Sequence, residues 1–223
     1  MGINFCKISS IEPVVAHLAI TLDRHLAKDK RVLWLVTGGS SIPLAVEVAS
    51  KLNRANLRNL IVTLSDERYG PIGHPDSNWQ QLLDAGFNLP GAKLYPVLSG
   101  KDLEQTASDY CTIVEDALSQ ADFKLGFIGI GPDGHAGGIK PHSPAVNSAK
   151  LAVGYQSDDF IRLTLTPRAI ARLDEVVSYA LGEAKWPMLD RLAKHLPVSV
   201  LPAQCLKAVG KLTIYNDRRG DPV

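Results

Sequence analysis

Four short apolar segments constrain the fold of this chain more than any other feature. They are RVLWLV at residues 31–36, NLIVTL at 59–64, KLGFIGI at 124–130 and EVVSYAL at 175–181. Unbroken apolar runs of this length are typical of parallel strands that are buried on both faces. Helical periodicities separate them, at 43–52, 77–83, 102–118 and 183–192. The alternation predicts a doubly wound, Rossmann-like α/β fold, with a mainly parallel sheet and helices on both faces.

The composition is that of an ordinary globular protein. The chain has 223 residues, of which 45% are hydrophobic and 21% are charged, and no repeat, low-complexity tract or Pro/Gly-rich linker divides it. We therefore expect residues 1–223 to form a single domain. The formal net charge of +1 argues against a global electrostatic field that would recruit nucleic acid or an anionic membrane. Any anionic ligand must be bound by local groups.

The cysteines and the first residues bear on the compartment. Cys6, Cys111 and Cys205 are widely spaced and form no C-x-x-C pair, which argues against a disulfide framework or a zinc site. The N-terminal sequence MGINFCKISSIEP lacks a basic segment followed by an apolar one, and no apolar run is long enough to span a bilayer. We expect a cytoplasmic enzyme without a membrane partner, either a monomer or a small homo-oligomer.

The segment GFIGIGPDGHAGG at 126–138 contains G-I-G-P-D-G, which matches the dinucleotide-binding pattern G-x-G-x-x-G. A dinucleotide site needs these glycines to lead directly into a helix, and an acidic residue about 20 residues later at the end of the next strand. Pro132 interrupts the turn, and the glycines after it disfavour a first helical turn. Asp158 and Asp159 lie further on, in a polar loop. We therefore expect no nicotinamide cofactor.

A second glycine-rich segment, VTGGSSIP at 36–43, follows the first predicted strand. Gly38 and Gly39 let backbone N–H groups turn toward a ligand, and the N-terminus of the following helix offers unpaired donors that suit a phosphate. Ser40 and Ser41 add hydroxyl donors. A tight strand-to-helix turn capped by serine is the other interpretation. No G-K-[ST] follows, so the segment is not a nucleoside-triphosphate loop.

The segment LSDERYGPIGHPDSN at 64–78 also follows a predicted strand. At the carboxyl end of a strand, Asp66, Glu67 and Arg68 could pair with one another, position a substrate or polarise a carbonyl group. A solvated charge cluster is the alternative. Ser77 suits the N-cap of the next helix.

His135 is the one side chain of the 126–138 segment that titrates near neutral pH. Next to Asp133 it can act as a general base, because the acid fixes its tautomer or raises its basicity; a surface-loop histidine is the alternative. The segment 132–148 has no clear period and follows the carboxyl end of a strand, where open α/β sheets bind ligands, which favours a functional loop. His142 has no third ligand at a convincing spacing, so we expect no metal site.

Two cationic side chains complete the set of candidate ligand-binding residues. Lys185, in GEAKWPMLDRL at 182–192, falls in the first turn of a predicted helix, where a lysine opposes the helix dipole. A bound phosphate would offset that repulsion, and an exposed lysine without a ligand is the alternative. Arg162, in FIRLTLTP, is the second cation, on a predicted strand.

These segments occur in the order and spacing seen in 6-phosphogluconolactonases, which the chain resembles over nearly its whole length. The family's G-G-S-T-P phosphate loop is similar to GGSSIP at 38–43, with one additional residue before the proline. Its D-E-R…H-P-D-S-N segment is reproduced at 66–68 and 74–78. Its G-x-D-G-H-T-A-S-L-F-P-G-T-P segment, its R-[IL]-T-L-T strand and its G-x-x-K resemble GPDGHAGGIKPHSP at 131–144, RLTLT at 162–166 and GEAK at 182–185.

The resemblance implies hydrolysis of 6-phospho-D-glucono-1,5-lactone to 6-phosphogluconate, a step of the pentose phosphate pathway, without metal or cofactor. It implies that His135, next to Asp133, is the base that activates water, and that Arg68 stabilises the carboxylate or the developing oxyanion. Asp66 and Asn78 would hold that arginine and the loop. The residues implied in binding the anionic substrate are Gly38, Gly39, Ser40, Ser41, Lys185 and Arg162.

A sister family, the glucosamine-6-phosphate deaminases, shares the fold and the phosphate site. It reads D-E-Y where this chain has D-E-R at 66–68, and it carries a catalytic glutamate in G-H-I-A-F-N-E-P where this chain has Lys140. Both differences favour a lactonase. The alternatives are an enzyme similar to these deaminases and a non-catalytic sugar-phosphate-binding paralogue. The segment AGGIK at 136–140 replaces the lactonase T-A-S-L-F, and this departure leaves the exact sugar phosphate open.

Overall fold

The computed structural model describes residues 2–223, whose strands form two sheets. The strands are Asn4–Lys7 (β1), Val32–Val36 (β2), Leu60–Leu64 (β3), Asp66–Arg68 (β4), Lys93–Tyr95 (β5), Phe123–Phe127 (β6), Ala152–Gln156 (β7), Ile161–Leu165 (β8), Glu175–Ala180 (β9), Lys211–Asn216 (β10) and Asp221–Pro222 (β11). The helices are Glu12–Leu26 (α1), Ile42–Lys51 (α2), Asn78–Asp84 (α3), Leu103–Gln120 (α4), Pro167–Ile170 (α5) and Trp186–Leu192 (α6).

The larger sheet has the order β11-β1-β10-β9-β6-β2-β3-β5, and every pair of neighbours in it is parallel. Its strands β2, β3, β6 and β9 are the four apolar segments of the sequence, so the predicted α/β fold with a mainly parallel sheet is confirmed. From β2 the chain continues to β3 on one side, and from β6 it continues to β9 on the other. The strand order therefore reverses between β2 and β6, where sheets of this kind bind ligands.

Burial explains why the central strands are uninterrupted apolar runs. All five residues of β2 and all five of β3 are buried. Because successive side chains of a strand point to opposite faces, the sheet is covered on both. The buried hydrophobic residues form one cluster that extends from Cys6 to Tyr215. The single domain stays a prediction, which this common core supports.

The predicted helices at 43–52, 77–83 and 102–118 correspond to α2, α3 and α4. The predicted helix at 183–192 is two elements, because a 3₁₀ turn over Glu183–Lys185 precedes α6. Lys185 is therefore the N-cap residue of α6 instead of a residue of its first turn. α1 is not among the predicted helices, although its buried residues recur at helical spacing.

The smaller sheet is antiparallel, with the order β4-β8-β7. One residue separates β4 from the end of β3, and β7 and β8 come from the segment before β9. Residues of β4 and β8 line the same cleft as the loops at the carboxyl ends of the parallel strands. In the register of β4 and β8, Arg68 is paired with Arg162. This sheet brings the D-E-R segment and the R-L-T-L-T segment together.

No helix within residues 2–223 is long and apolar enough to cross a membrane.

Candidate active site

A cleft of about 330 Å³ opens at the carboxyl ends of β2, β3, β6 and β9. Ten of the eleven predicted site residues line it, and only Asp133 lies outside the lining. The ten are Gly38, Gly39, Ser40, Ser41, Asp66, Arg68, Asn78, His135, Arg162 and Lys185. The fold therefore brings together segments that are far apart in sequence, as expected for a ligand site at the reversal of strand order.

The loop after β2 lines the cleft. Gly39 has φ +64°, a left-handed conformation that favours glycine, and a 3₁₀ turn over Gly39–Ser41 leads into α2. No side chain caps α2, and Pro43 occupies its first turn. The Ile42 N–H donates to the Gly39 carbonyl oxygen and Pro43 has no N–H, so an anion here would be bound by the N–H groups of the loop before α2, and the dipole of the helix also favours it.

Gly38 is needed for a different reason. A Cβ atom at this position would overlap the Asn78 side chain. Asn78 in turn donates from Nδ2 to the Asp66 carbonyl oxygen at 2.9 Å. The loop after β2 is thus packed directly on the segment that carries Asp66, and any larger residue would separate the two.

Lys185 also lines the cleft. It follows Gly182, whose φ of +96° turns the chain at the end of β9. Burial lowers the pKa of the Lys185 ammonium group, and the ion pairs among residues 2–223 do not include Lys185. A half-buried cation without a carboxylate partner suits an anionic ligand.

His135 and Asp133 meet in the loop after β6, and His135 lines the cleft. The Gly134 N–H donates to the Gly131 carbonyl oxygen and closes a turn, and His135 Nδ1 lies 2.6 Å from Asp133 Oδ1. Burial tends to raise the pKa of Asp133, but hydrogen bonds from His135 and the charge of Lys140 outweigh it and hold that pKa well below its usual value. Asp133 is therefore an ionised carboxylate behind the ring, as the sequence predicts for a partner of the base.

The glycines of this loop shape the cleft instead of binding a dinucleotide. A Cβ atom on Gly131 would occupy the place of the His135 ring, and Gly134 has φ +87°. At Gly138 a Cβ atom would lie 2.7 Å from Thr164 Cβ and 2.9 Å from Asp66 Cβ. The loop that departs from the lactonase T-A-S-L-F is therefore packed closely on β4 and β8, with no space for a side chain at Gly138.

Asp66 and Arg162 are buried together. Arg162 Nη1 lies 3.9 Å from Asp66 Oδ2, and its Nη2 donates to Asp159 Oδ2 at 2.6 Å. The predicted contact of Asp66 with Arg68 is therefore wrong in this structure: Asp66 pairs with Arg162. The reason is the β4–β8 register, which no local sequence pattern shows. Asp159, on the loop between β7 and β8, also lines the cleft and was not predicted.

Arg68 is held without a carboxylate. Its Nη1 donates to the Asp76 carbonyl oxygen at 2.9 Å, and its guanidinium lies 5.0 Å from the centre of the Phe160 ring. The Arg162 guanidinium lies 5.7 Å from the same ring. The aromatic ring thus separates and partly stabilises two cations that face each other across β4 and β8.

Glu67, the middle residue of the D-E-R segment, is not among the predicted site residues but supports the cleft. It is fully buried, and its carboxylate accepts hydrogen bonds from Arg68 N, Ser77 Oγ, Asn78 N and Trp79 N. Burial raises the pKa of Glu67 even though these four donors act to lower it. The carboxylate therefore caps the N-terminus of α3. By accepting from the backbone N–H groups of Arg68 and Asn78, it also holds these two cleft residues in place. The only signal in the sequence is an acid in the D-E-R segment, eleven residues before α3, whose N-cap Ser77 gives no hint of a second capping group.

Within residues 2–223, no group of three or more His, Cys, Asp or Glu side chains is arranged to hold a metal ion. His142 donates from its backbone N–H to the Ser199 carbonyl oxygen and is exposed.

Comparison with known proteins gives concordant results. The model of the family described as "Glucosamine-6-phosphate isomerases/6-phosphogluconolactonase" matches residues 8–214. The chain is 28% identical to 6-phosphogluconolactonase of Mycobacterium leprae, over 83% of this chain and 82% of that protein. It is 32% identical to 6-phosphogluconolactonase of Synechocystis sp., over 69% of each chain.

Two solved structures have the same fold. One is 6-phosphogluconolactonase from Thermotoga maritima, with a TM-score of 0.82 and 23% identity, over 96% of this chain and 98% of the other. The second is a monomeric glucosamine-6-phosphate deaminase, with a TM-score of 0.78 and 20% identity, over 98% of both chains. Since both kinds of enzyme share the fold, the choice between them depends on the side chains of the cleft.

Proposed function

The chain belongs to the glucosamine-6-phosphate isomerase/6-phosphogluconolactonase family, and on this premise we propose that it hydrolyses 6-phospho-D-glucono-1,5-lactone to 6-phosphogluconate. One observation carries the assignment within the family. The loop after β2, Lys185 and His135 line one cleft, and Asp133 contacts the His135 ring. The combination of anion donors and a histidine–carboxylate pair supports a phosphorylated ester as the substrate.

We assign phosphate binding to the loop before α2 and to Lys185. The backbone N–H groups of residues 38–41 and the hydroxyl groups of Ser40 and Ser41 supply neutral donors, while Lys185 supplies the charge. Anchoring the phosphate holds the lactone carbonyl near His135, so that the reaction takes place within a bound pair.

His135 is the proposed general base. Because the ionised Asp133 can only accept a hydrogen bond, His135 Nδ1 carries the proton between them, and in the neutral imidazole Nε2 is then the atom with the free lone pair. His135 Nε2 removes a proton from water as the water oxygen attacks the lactone carbonyl carbon. The tetrahedral intermediate then breaks its bond to the ring oxygen, which takes a proton from the imidazolium, and the new carboxyl group loses its proton to solvent.

Arg68 is the proposed stabiliser of the oxyanion. Its guanidinium lines the cleft, and no ion pair among residues 2–223 includes it. Preorganised positive charge of this kind usually contributes more than proton transfer itself. Arg162 is already paired with Asp159 and Asp66, so its role is to position that wall of the cleft and to add a weaker anionic contact.

Lys140 argues against the deaminase reaction, because the glutamate that the deaminases use for ring opening is absent at this position.

The decisive experiment is a substrate panel with the purified protein. We expect rapid conversion of the phosphorylated lactone above the no-enzyme control, which is essential because the lactone also opens spontaneously, and no ammonia from glucosamine 6-phosphate. Ammonia release would assign the sister activity instead, and ligand-dependent thermal stabilisation without turnover of either compound would indicate a binding protein.

We propose further that the protein acts in the cytoplasm, as a monomer or small homo-oligomer, on a small phosphorylated sugar lactone and without a metal or cofactor.

A further inference from the structure

Lys140 occupies an unusual position behind the cleft. Its side chain is only 19% exposed and is surrounded by carboxylates, with Nζ 3.3 Å from Asp133 Oδ2, 3.7 Å from Asp158 Oδ1 and 3.9 Å from Asp159 Oδ2. Burial tends to lower the pKa of Lys140, but the three acids outweigh it and raise that pKa. Lys140 is therefore a permanent cation at neutral pH.

The residue does not line the active-site cleft. It lines a second cavity of about 360 Å³ behind it, together with Asp133, His142, Tyr155 and Asp158. A substrate in the cleft is thus separated from the Lys140 ammonium group by the His135–Asp133 pair and by Asp159. Any effect of Lys140 on the reaction must act through these residues.

The ammonium group joins two loops. Asp133 and Lys140 belong to the loop after β6, which carries His135, whereas Asp158 and Asp159 belong to the loop between β7 and β8, which carries Phe160. From Asp159 the contacts continue to Arg162. Lys140 thus adds a charged connection between the loop of the proposed base and the wall that holds both arginines.

The two oxygens of Asp133 have different partners. Oδ1 accepts from the His135 backbone N–H at 3.1 Å and lies 2.6 Å from His135 Nδ1, while Oδ2 faces Lys140. A carboxylate held at both oxygens cannot rotate freely, so Oδ1 stays directed at the imidazole ring. Without the cation, Oδ2 would become available to solvent or to the ring, and the ring orientation would be less strictly defined.

We propose that Lys140 is a positioning residue for the reaction of this cleft: it orients Asp133 against His135 and ties the base-bearing loop to the Asp159 loop. The proposal rests on the proposed function, because it assigns Lys140 a part in the reaction that His135 performs.

The charges around Lys140 fix the direction of a pH effect. Asp133 faces it from its own loop, and Asp158 and Asp159 face it from the β7–β8 loop. The Tyr155 hydroxyl lies 3.3 Å from the Lys140 backbone N, and Arg162 stands behind Asp159. Removing the cation leaves Asp133, the carboxylate in contact with the imidazole, with one fewer opposing charge, which favours the protonated ring. The acidic limb of the kcat/KM profile should therefore move to higher pH.

The test compares Lys140→Met, Lys140→Gln and Lys140→Arg in steady-state lactone hydrolysis between about pH 5 and 9. We expect both neutral variants to lower kcat about tenfold with little change in KM, and to move the acidic limb upward by roughly half a pH unit or more. Lys140→Arg keeps the charge and should restore both values to within about threefold of the wild type.

Lys124→Met is the matched control. Lys124 is also 19% exposed and lies 3.7 Å from one carboxylate, that of Asp174, but it is at the amino end of β6, away from the cleft. It should change neither kcat nor the pH profile. The proposal is overturned if the neutral Lys140 variants keep the wild-type kcat and limb, or if only KM rises, since the lysine would then contact the substrate. Absence of turnover in the wild type would instead refute the proposed function.

Discussion

At the scale of single residues, the proposed chemistry depends on the short contact between His135 Nδ1 and Asp133 Oδ1. The sequence alone predicts this pair, because the two residues are two positions apart in one loop. It does not predict the Asp66–Arg162 pair, whose members are nearly one hundred residues apart and meet only through the β4–β8 register. Local contacts can thus be inferred from spacing, whereas contacts across strands need the fold.

His135→Ala tests the base. We expect kcat to fall by about 10²- to 10⁴-fold, the usual contribution of a positioned general base, while KM changes little because the phosphate anchor is untouched. The measurement is a rapid coupled assay with the spontaneous rate subtracted. His195→Ala, at an exposed histidine outside the cleft, is the control and should keep the wild-type rate. A wild-type kcat for His135→Ala would rule out this residue as the base.

Lys185→Met tests the anchor. A charged hydrogen bond to phosphate contributes about 1.5–3 kcal/mol, so KM should rise about 10- to 100-fold with a smaller change in kcat. Inorganic phosphate should also inhibit the variant less than the wild type. The exposed Lys150 provides the control substitution, Lys150→Met, which should leave KM unchanged. If Lys185→Met lowered kcat alone, the ammonium group would belong to the reacting end of the substrate instead.

At the scale of elements, the predictable part of the structure is the set of buried strands and the helices between them. Their apolar runs and periodicities are long enough to be recognised in the sequence. β4 has only three residues, all of them charged, and it forms a strand because it pairs with β8. Tertiary pairing overrides the local signal there, which is why the small sheet that closes over the cleft could not be predicted.

Glu67 connects β4 to α3, and Glu67→Gln tests that connection. The amide retains one acceptor and presents an NH₂ group to N–H donors, so we expect a loss of about 1–3 kcal/mol in the free energy of unfolding, measured by urea denaturation. Because Arg68 and Asn78 are fixed by this carboxylate, kcat/KM should fall as well.

The exposed Glu104, in the first turn of α4, gives the control for this substitution. Glu104→Gln should alter stability by no more than about 0.5 kcal/mol. Equal stability of Glu67→Gln and the wild type would show that the buried carboxylate does not stabilise α3.

At the scale of the whole molecule, stability depends on a second charged cluster at the other end of the sheet. Glu175, at the start of β9, is buried; its Oε1 lies 2.7 Å from His17 Nε2 and 2.8 Å from Lys211 Nζ. Burial tends to raise the pKa of Glu175, but hydrogen bonds to His17 and Lys211 outweigh it and lower that pKa from 4.5.

A carboxyl group whose pKa is lower in the folded state stabilises the fold above its unfolded pKa, and this contribution is lost as the pH falls through the folded value. Glu175→Gln should therefore lower the free energy of unfolding by about 1–2 kcal/mol at neutral pH. The difference from the wild type should shrink below about pH 4. Urea unfolding at several pH values measures it, and kcat should be unchanged because the cluster is remote from the cleft. A difference that is constant with pH would contradict the ionic origin.

The position of β1 has a consequence for synthesis. β1 lies between β10 and β11, so it pairs only with strands that are translated much later. Until residues 211–222 have been synthesised, the backbone groups of β1 have no partners in this sheet, and β1 stays unpaired while the central strands form. A nascent chain can therefore assemble the loops after β2 and β6 early, yet it cannot complete this sheet before residues 211–222 are translated.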